Sequence, residues 1–232
     1  MKAGKIVRIA GLVLLAGLLV FGIYTGSKTT PISEKVWDER TTVGSMDAEN
    51  YFVIYTDLMC PYCIAFENAI LENEEEFNDY IEANNVLLEV KISDFLYEYG
   101  ENRPINSRYG AEAAYCATNE DKFWDYYKAA IHTIWDNYFG SAGKAGFMAL
   151  NSVDKNFWIN IGTEVGLGET FSDCVKNDET LDLIIANTAK TVEAVNGGMP
   201  FFKFNRYGVS GFDLSWGWDY VKAYFDKGLL SK

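Results

Sequence analysis

Short apolar runs and helical stripes alternate along the chain. Tyr51–Thr56 (YFVIYT) is a β-branched and aromatic stretch that predicts a buried strand. Cys63, Phe66 and Ile70, with Ile64 and Leu71, then recur at helical spacing. Val86–Ile92 (VLLEVKI) predicts a second strand, so the pattern opens β-α-β. A long helical block follows. Phe123, Trp124, Tyr127, Ala130, Ile131, Ile134 and Trp135 share one face of a helix that begins near Asn119. Leu181, Ile184, Ile185, Thr188, Val192 and Val195 form another stripe, stopped by Gly197-Gly198. Phe201–Asn205 and Tyr207–Gly211 read as a hairpin, and Tyr220, Val221, Tyr224 and Phe225 as a closing helix. This order describes one α/β domain over residues 50–228, with the helical block at about 95–195.

The N-terminus has a different pattern. Ile9–Tyr24 (IAGLVLLAGLLVFGIY) carries no charge and follows a basic flank, residues 1–8, with Lys2, Lys5 and Arg8. The run ends in Phe21-Gly22-Ile23-Tyr24-Thr25-Gly26-Ser27, a poor match to the small-residue site of a cleaved signal peptide. Residues 9–24 therefore read as a retained transmembrane anchor, with a signal peptide as the alternative. The basic flank places the remainder outside the cytoplasm by the positive-inside rule, as a single-pass membrane protein. Residues 25–49, with Ser27, Thr29, Thr30, Pro31 and Ser33, read as a linker.

Charge sharpens this division. The 232 residues carry 20 Lys+Arg against 33 Asp+Glu, a formal net charge of -13. Residues 1–27 hold three cations and no acid, which leaves the rest at -16. Such a body repels phosphate backbones, so nucleic acid is excluded as a partner class. Hydrophobic residues make up 49% of the chain, which excludes a disordered or collagen-like polymer.

The candidate chemistry lies at the end of the first strand, in Asp57-Leu58-Met59-Cys60-Pro61-Tyr62-Cys63. A CxxC is half of a zinc site, a redox dithiol or a coincidence. Zinc needs four ligands, and only Cys116, Cys174 and the single His132 remain, with no second close pair. The redox reading has a reason in position. A strand feeding a helix puts Cys60 at the helix N-terminus, where unpaired N–H groups favour negative charge. Pro61 suits the first turn, where its missing N–H costs nothing. Cys63 lies one turn deeper, placed to attack a mixed disulfide on Cys60. Gly197-Gly198-Met199-Pro200, just before the Phe201 strand, supplies a second element. It reads either as an ordinary turn or as a cis-Pro loop whose Met199 backbone pairs with an extended substrate.

The runs YTDLMCPYCIAFENAI, AEAAYCATNEDKFWDYYKAAI and GGMPFFKFN resemble the DsbA family of thioredoxin-like proteins, over roughly Asn50 to Phe225. From Cys63 to Pro200 is 137 residues, room for the helical domain that this family inserts and compact thioredoxins lack. The resemblance implies a thioredoxin-like α/β fold and protein thiol–disulfide exchange through Cys60 and Cys63. It also implies support from Pro61, Tyr62, Asp57, Met199 and Pro200, and no metal or cofactor. A disulfide between Cys116 and Cys174 is implied by the same resemblance, the alternative being two buried thiols. The chain departs from the pattern in three places. Ile54 stands where many members carry a buried acid, leaving Asp57 to assist proton transfer or merely to cap the turn. Met199 stands where Thr or Val is common, and the Pro61-Tyr62 dipeptide lacks His.

The expected activity is oxidation of exported proteins that carry cysteines, with a membrane redox partner. A tethered reductase or isomerase, and a non-catalytic thioredoxin-fold binding module, are the competing expectations. His132 and Glu72–Glu76 read as solvated surface, and the aromatic residues of the helical block as core.

Overall fold

A computed structural model of the chain describes residues 38–195 and 198–231, without the side chains of 141–144. The expected anchor, its basic flank, most of the linker and Gly197 lie outside the described residues. Among the described residues no helix is long and apolar enough to cross a membrane.

The run YFVIYT is buried in β2 (Asn50–Thr56), the middle of five strands, and VLLEVKI forms β3 (Val86–Ile92) parallel to it. Helices α1 (Pro61–Leu71) and α2 (Glu74–Ala83) make the crossover. On the other side of β2 runs the antiparallel hairpin β4 (Phe201–Phe204) and β5 (Tyr207–Ser210), and α10 (Trp218–Leu229) closes the chain. With β1 (Thr42–Val43) the strand order is β1-β3-β2-β4-β5.

The hairpin turns on Asn205, a non-glycine residue at φ 51° that Asn tolerates better than most. Its buried side chain donates to Asn50 Oδ1 (3.0 Å) and the Gly228 carbonyl (3.2 Å), and accepts from the Tyr51 N–H (3.1 Å). One amide thereby ties the turn to β2 and to α10. Aromatic side chains fill the layer between sheet and helices. Phe66 of α1 stacks on Phe202 of β4 with centroids 4.4 Å apart, and Phe225 of α10 meets Phe52 of β2 edge-on at 4.6 Å.

Between β3 and β4 the chain is helical: α3 (Phe95–Tyr99), α4 (Ile105–Cys116), α5 (Phe123–Ile134), α6 (Gly140–Leu150), α7 (Lys155–Glu164), α8 (Glu169–Lys176) and α9 (Leu181–Ala194). A π-helical turn, Trp135–Phe139, joins α5 to α6. Fully buried Trp158 of α7 donates its indole N–H to Asn106 Oδ1 of α4 at 2.7 Å. Gly162 lets α7 approach α8 closely, since a Cβ there would lie 2.2 Å from the Phe171 ring. The Cys116–Cys174 disulfide joins the end of α4 to α8, with a Cα–Cα distance of 5.8 Å.

Two boundaries differ from the sequence reading. The domain begins at Asp38, so residues 38–49 are not linker. Asp38 donates its N–H to Glu89 Oε1 (3.2 Å), Arg40 reaches Thr118 Oγ1 (3.2 Å), and β1 adds to the edge of β3. The segment is polar and its strand has two residues, so no periodicity marks it; pairing with β3 holds it. The aromatic helix begins at Phe123, after a 3-10 turn (Ala117–Glu120) and Asp121 at φ 55°, which breaks helical continuity.

Candidate active site

Strand register brings the site together. β4 pairs antiparallel with β2, Phe201 opposite Tyr55, so the residues just before β4 arrive beside the turn that follows Thr56. The turn itself is closed by the Cys60 N–H on the Asp57 carbonyl (2.9 Å). Cys60 is the N-cap of α1, in extended conformation at φ -87°, and Pro61 is the first helical residue. The first helical hydrogen bond runs from the Ile64 N–H to the Cys60 carbonyl (3.0 Å).

Both cysteines are free thiols with different surroundings. Cys60 Sγ lies 3.9 Å from the carbonyl oxygen of Met199, and the Met199–Pro200 peptide is cis. It borders a cleft of about 270 Å³ lined also by Tyr62, Phe95, Leu96, Phe147 and Met199. Tyr62 stands at the lip, about half exposed. Cys63 is fully buried one turn inside. Burial pushes its thiol up, and Cys60 and then the acids Glu67 and Asp57 push the same way. Cys60 is itself buried, at 4% exposure, but it lines the cleft, and a second, proton-holding sulfur behind it completes the arrangement for two successive thiol–disulfide exchanges.

Asp57 is fully buried, and both carboxylate oxygens are engaged. Oδ1 accepts from the Met59 N–H (2.8 Å), and Oδ2 from the Leu96 N–H (2.8 Å) and the Ser107 hydroxyl (2.7 Å). Burial raises its pKa to about 6, while these three donors hold it down. Asp57 therefore fastens the CxxC turn to α3 and α4.

The sequence reading missed Glu67. It lies four residues after Cys63, on the same face of α1, and is 2% exposed. Neither of its carboxylate oxygens closes a hydrogen bond of good geometry. Burial raises its pKa to about 8; the Thr56 and Tyr127 hydroxyls that face it pull the other way. The signal was present: the stripe Cys63, Phe66, Ile70 is continued by position 67, so an acid there sits on an apolar face. His132 is exposed on α5. Among the described residues no three His, Cys, Asp or Glu side chains converge on a metal position.

A thioredoxin-type sheet carrying a dithiol on its first crossover helix, with seven α-helices between β3 and β4 among the described residues, defines a thioredoxin-fold protein with a helical insertion. The family model for thioredoxin matches residues 37–205, and the chain belongs to that family. Among solved structures, BdbD from Bacillus subtilis (oxidised) superimposes with a TM-score of 0.61 at 17% identity, over 82% of this chain and 92% of that one. A thioredoxin-like oxidoreductase from Silicibacter pomeroyi DSS-3 gives 0.59 at 20% identity, over 89% and 100%. The thiol-disulfide exchange protein alpha-DsbA2 from Wolbachia pipientis gives 0.55 at 19%, over 80% and 85%. No curated protein matches the chain.

Proposed function

We propose that the protein is a thiol–disulfide oxidoreductase that works through Cys60 and Cys63, and that its net reaction is oxidation of cysteines in exported proteins. The observation that carries the reading is the placement of Cys60 Sγ at a helix N-terminus, 3.9 Å from the Met199 carbonyl and bordering a cleft, with Cys63 one turn inside. An extended substrate lying along the Met199 backbone presents its thiolate to Cys60. That thiolate attacks the Cys60 sulfur of the Cys60–Cys63 disulfide, and Cys63 leaves with the electron pair and takes a proton. A second substrate thiolate then displaces Cys60, leaving the substrate oxidised and the enzyme reduced by two electrons. A membrane redox partner of disulfide-donating chemistry restores the disulfide.

The oxidising direction is supported by the Cys116–Cys174 bond in the same chain, which belongs to an oxidising compartment, and by the basic and apolar N-terminal sequence. That sequence supports a single-pass anchor with the domain outside the cytoplasm.

Equilibrating Cys60–Cys63 with glutathione tests both levels. A potential near the oxidant end, about -120 mV, supports the oxidase, and one near about -270 mV supports a reductase. A Cys63→Ala variant that traps no partner through Cys60, together with no exchange by the unaltered protein, leaves only a binding module.

A further inference from the structure

A second hollow lies along α1, apart from the cleft at Cys60. It has a volume of about 260 Å³, is bounded by α1, α2, α5 and the sheet, and shares no lining residue with that cleft. Its walls are mostly apolar and include Ile54, Ile70, Phe77, Val90 and Trp124. Glu67 and Tyr127 interrupt them, at 2% and 3% exposure. Neither Glu67 oxygen closes a hydrogen bond of good geometry, nor does the Tyr127 hydroxyl, nor the Thr56 hydroxyl that faces the same carboxyl. Buried polar atoms ordinarily find partners, so four without one around a single apolar hollow mark a place where the polar edge of a ligand fits. Among the described residues that line it the only cation is Lys128, which pairs with Glu74 at a rim that meets solvent.

The chemistry of this polar spot limits what fits it. With Lys128 already paired, the lining offers no cation to hold an anionic ligand. Burial raises the pKa of Glu67 to about 8, so its carboxyl is largely neutral at pH 7 and a cationic ligand finds no ready counter-charge. A neutral carboxyl presents an O–H donor beside a C=O acceptor. Its complement is an N–H beside a carbonyl, the cis-amide edge of a lactam. An apolar cavity of about 150 Å³ accommodates benzene, so about 260 Å³ suits two fused rings. We propose that this cavity binds a small, uncharged, two-ring lactam, whose N–H and carbonyl pair with the Glu67 carboxyl while its rings lie against the apolar walls. The Tyr127 hydroxyl is a further partner for the ligand's carbonyl. The proposal is independent of the thiol chemistry of Cys60 and Cys63 and adds a small-molecule site to the domain.

The test is calorimetric titration of the full chain at pH 7 with 2-quinolinone, against 2-methoxyquinoline, which keeps the two rings but has no N–H. The expected result is saturable binding of one 2-quinolinone per chain, at least about 10-fold tighter than 2-methoxyquinoline. Glu67→Leu removes that preference and lowers 2-quinolinone to the level of the control. Glu67→Gln, whose amide keeps a donor beside an acceptor, retains it. The native fold of each variant is checked by near-ultraviolet circular dichroism. No saturable binding of 2-quinolinone up to its solubility overturns the proposal. So do equal affinities for the two compounds in the unaltered protein, a preference that survives Glu67→Leu, or one that is lost in Glu67→Gln. If Glu67→Leu does not fold, Val43→Trp takes its place, since Val43 lines the cavity and is exposed at its edge. An indole there narrows the mouth and blocks 2-quinolinone, and undiminished binding to that variant places the compound elsewhere and overturns the proposal.

Discussion

The sulfur of Cys60 and the carbonyl oxygen of Met199 meet at 3.9 Å although 139 residues of chain separate them. The sequence between them folds into the helical block and returns, and β4 pairing with β2 sets where the return lands. In the proposed alignment along the Met199 backbone a substrate meets Cys60 first. Cys60 is only 4% exposed but lines the cleft, whereas Cys63, behind the helix turn, is not exposed at all and does not reach it.

That difference predicts selective labelling. A bulky maleimide added to the native, reduced protein modifies one thiol, Cys60, and a second adduct at Cys63 forms only after denaturation. Intact mass before and after denaturation reads both states. Two rapid adducts in the native protein contradict the burial of Cys63.

The Cys116–Cys174 bond closes a loop with a sequence separation of 58, far from the reactive dithiol in role. In the chain-entropy account a loop of that length contributes roughly 4 kcal/mol through the unfolded state. The double variant Cys116→Ala/Cys174→Ala should lose about that much in a urea titration, while single-adduct labelling of Cys60 persists. A loss well under 1 kcal/mol shows that the helices hold together without it.

The interior of the helical block predicts two further losses of stability. Asn106→Ala orphans the indole N–H of Trp158 and removes the donors to the Asn151 and Val153 carbonyls. A buried unsatisfied donor costs about 1–3 kcal/mol, so the whole substitution should cost at least about 2 kcal/mol. Gly162→Ala drives a methyl to within 2.2 Å of the Phe171 ring, and overpacking of that kind costs roughly 1–3 kcal/mol. Thermal or urea unfolding of each variant measures the change, and neutrality at Gly162 means that α7 and α8 separate easily.

Much of this architecture is legible in the residues. YFVIYT and VLLEVKI are long enough and apolar enough to mark β2 and β3, and CPYC between a strand and an apolar stripe marks the turn. Met199-Pro200 before FFKF marks the return. What is not legible depends on partners distant in sequence. β1 has two residues and no period, and exists because β3 offers an open edge. Tyr126 falls beside the apolar stripe of its helix and is buried because α7 and α8 cover it, with Phe171 5.5 Å away. Glu67 falls on the apolar face of α1, a signal the sequence holds, but the groups that face it, the Thr56 hydroxyl of β2 and the Tyr127 hydroxyl of α5, come from elsewhere in the chain.

Buried acids also set how stability depends on pH. Glu67 titrates at 4.5 in its ordinary state and at about 8 in the fold, and Asp57 at 3.8 and about 6, burial being the first cause for both. Below the lower values both states of the chain hold these protons, and the fold has its full stability from these groups. As pH rises toward about 8 the unfolded chain has released the Glu67 proton while the native one keeps it, so unfolding is increasingly favoured. Asp38 and Asp178 are pulled below 3.8, so their effect is confined to the acid side of this window. Each tenfold preference for the protonated form corresponds to about 1.4 kcal/mol, so Glu67 alone accounts for a decline of a few kcal/mol. Urea titrations at intervals from pH 4 to 9 should show that decline in the unaltered protein. In Glu67→Gln, whose amide stays neutral throughout, the decline should shrink, Asp57 and Glu112, which burial raises to about 6 and about 7, keeping the rest, so that the variant gains on the parent as pH rises. Parallel curves would mean that Glu67 is ionised and solvated in the fold, contrary to its burial beneath α5.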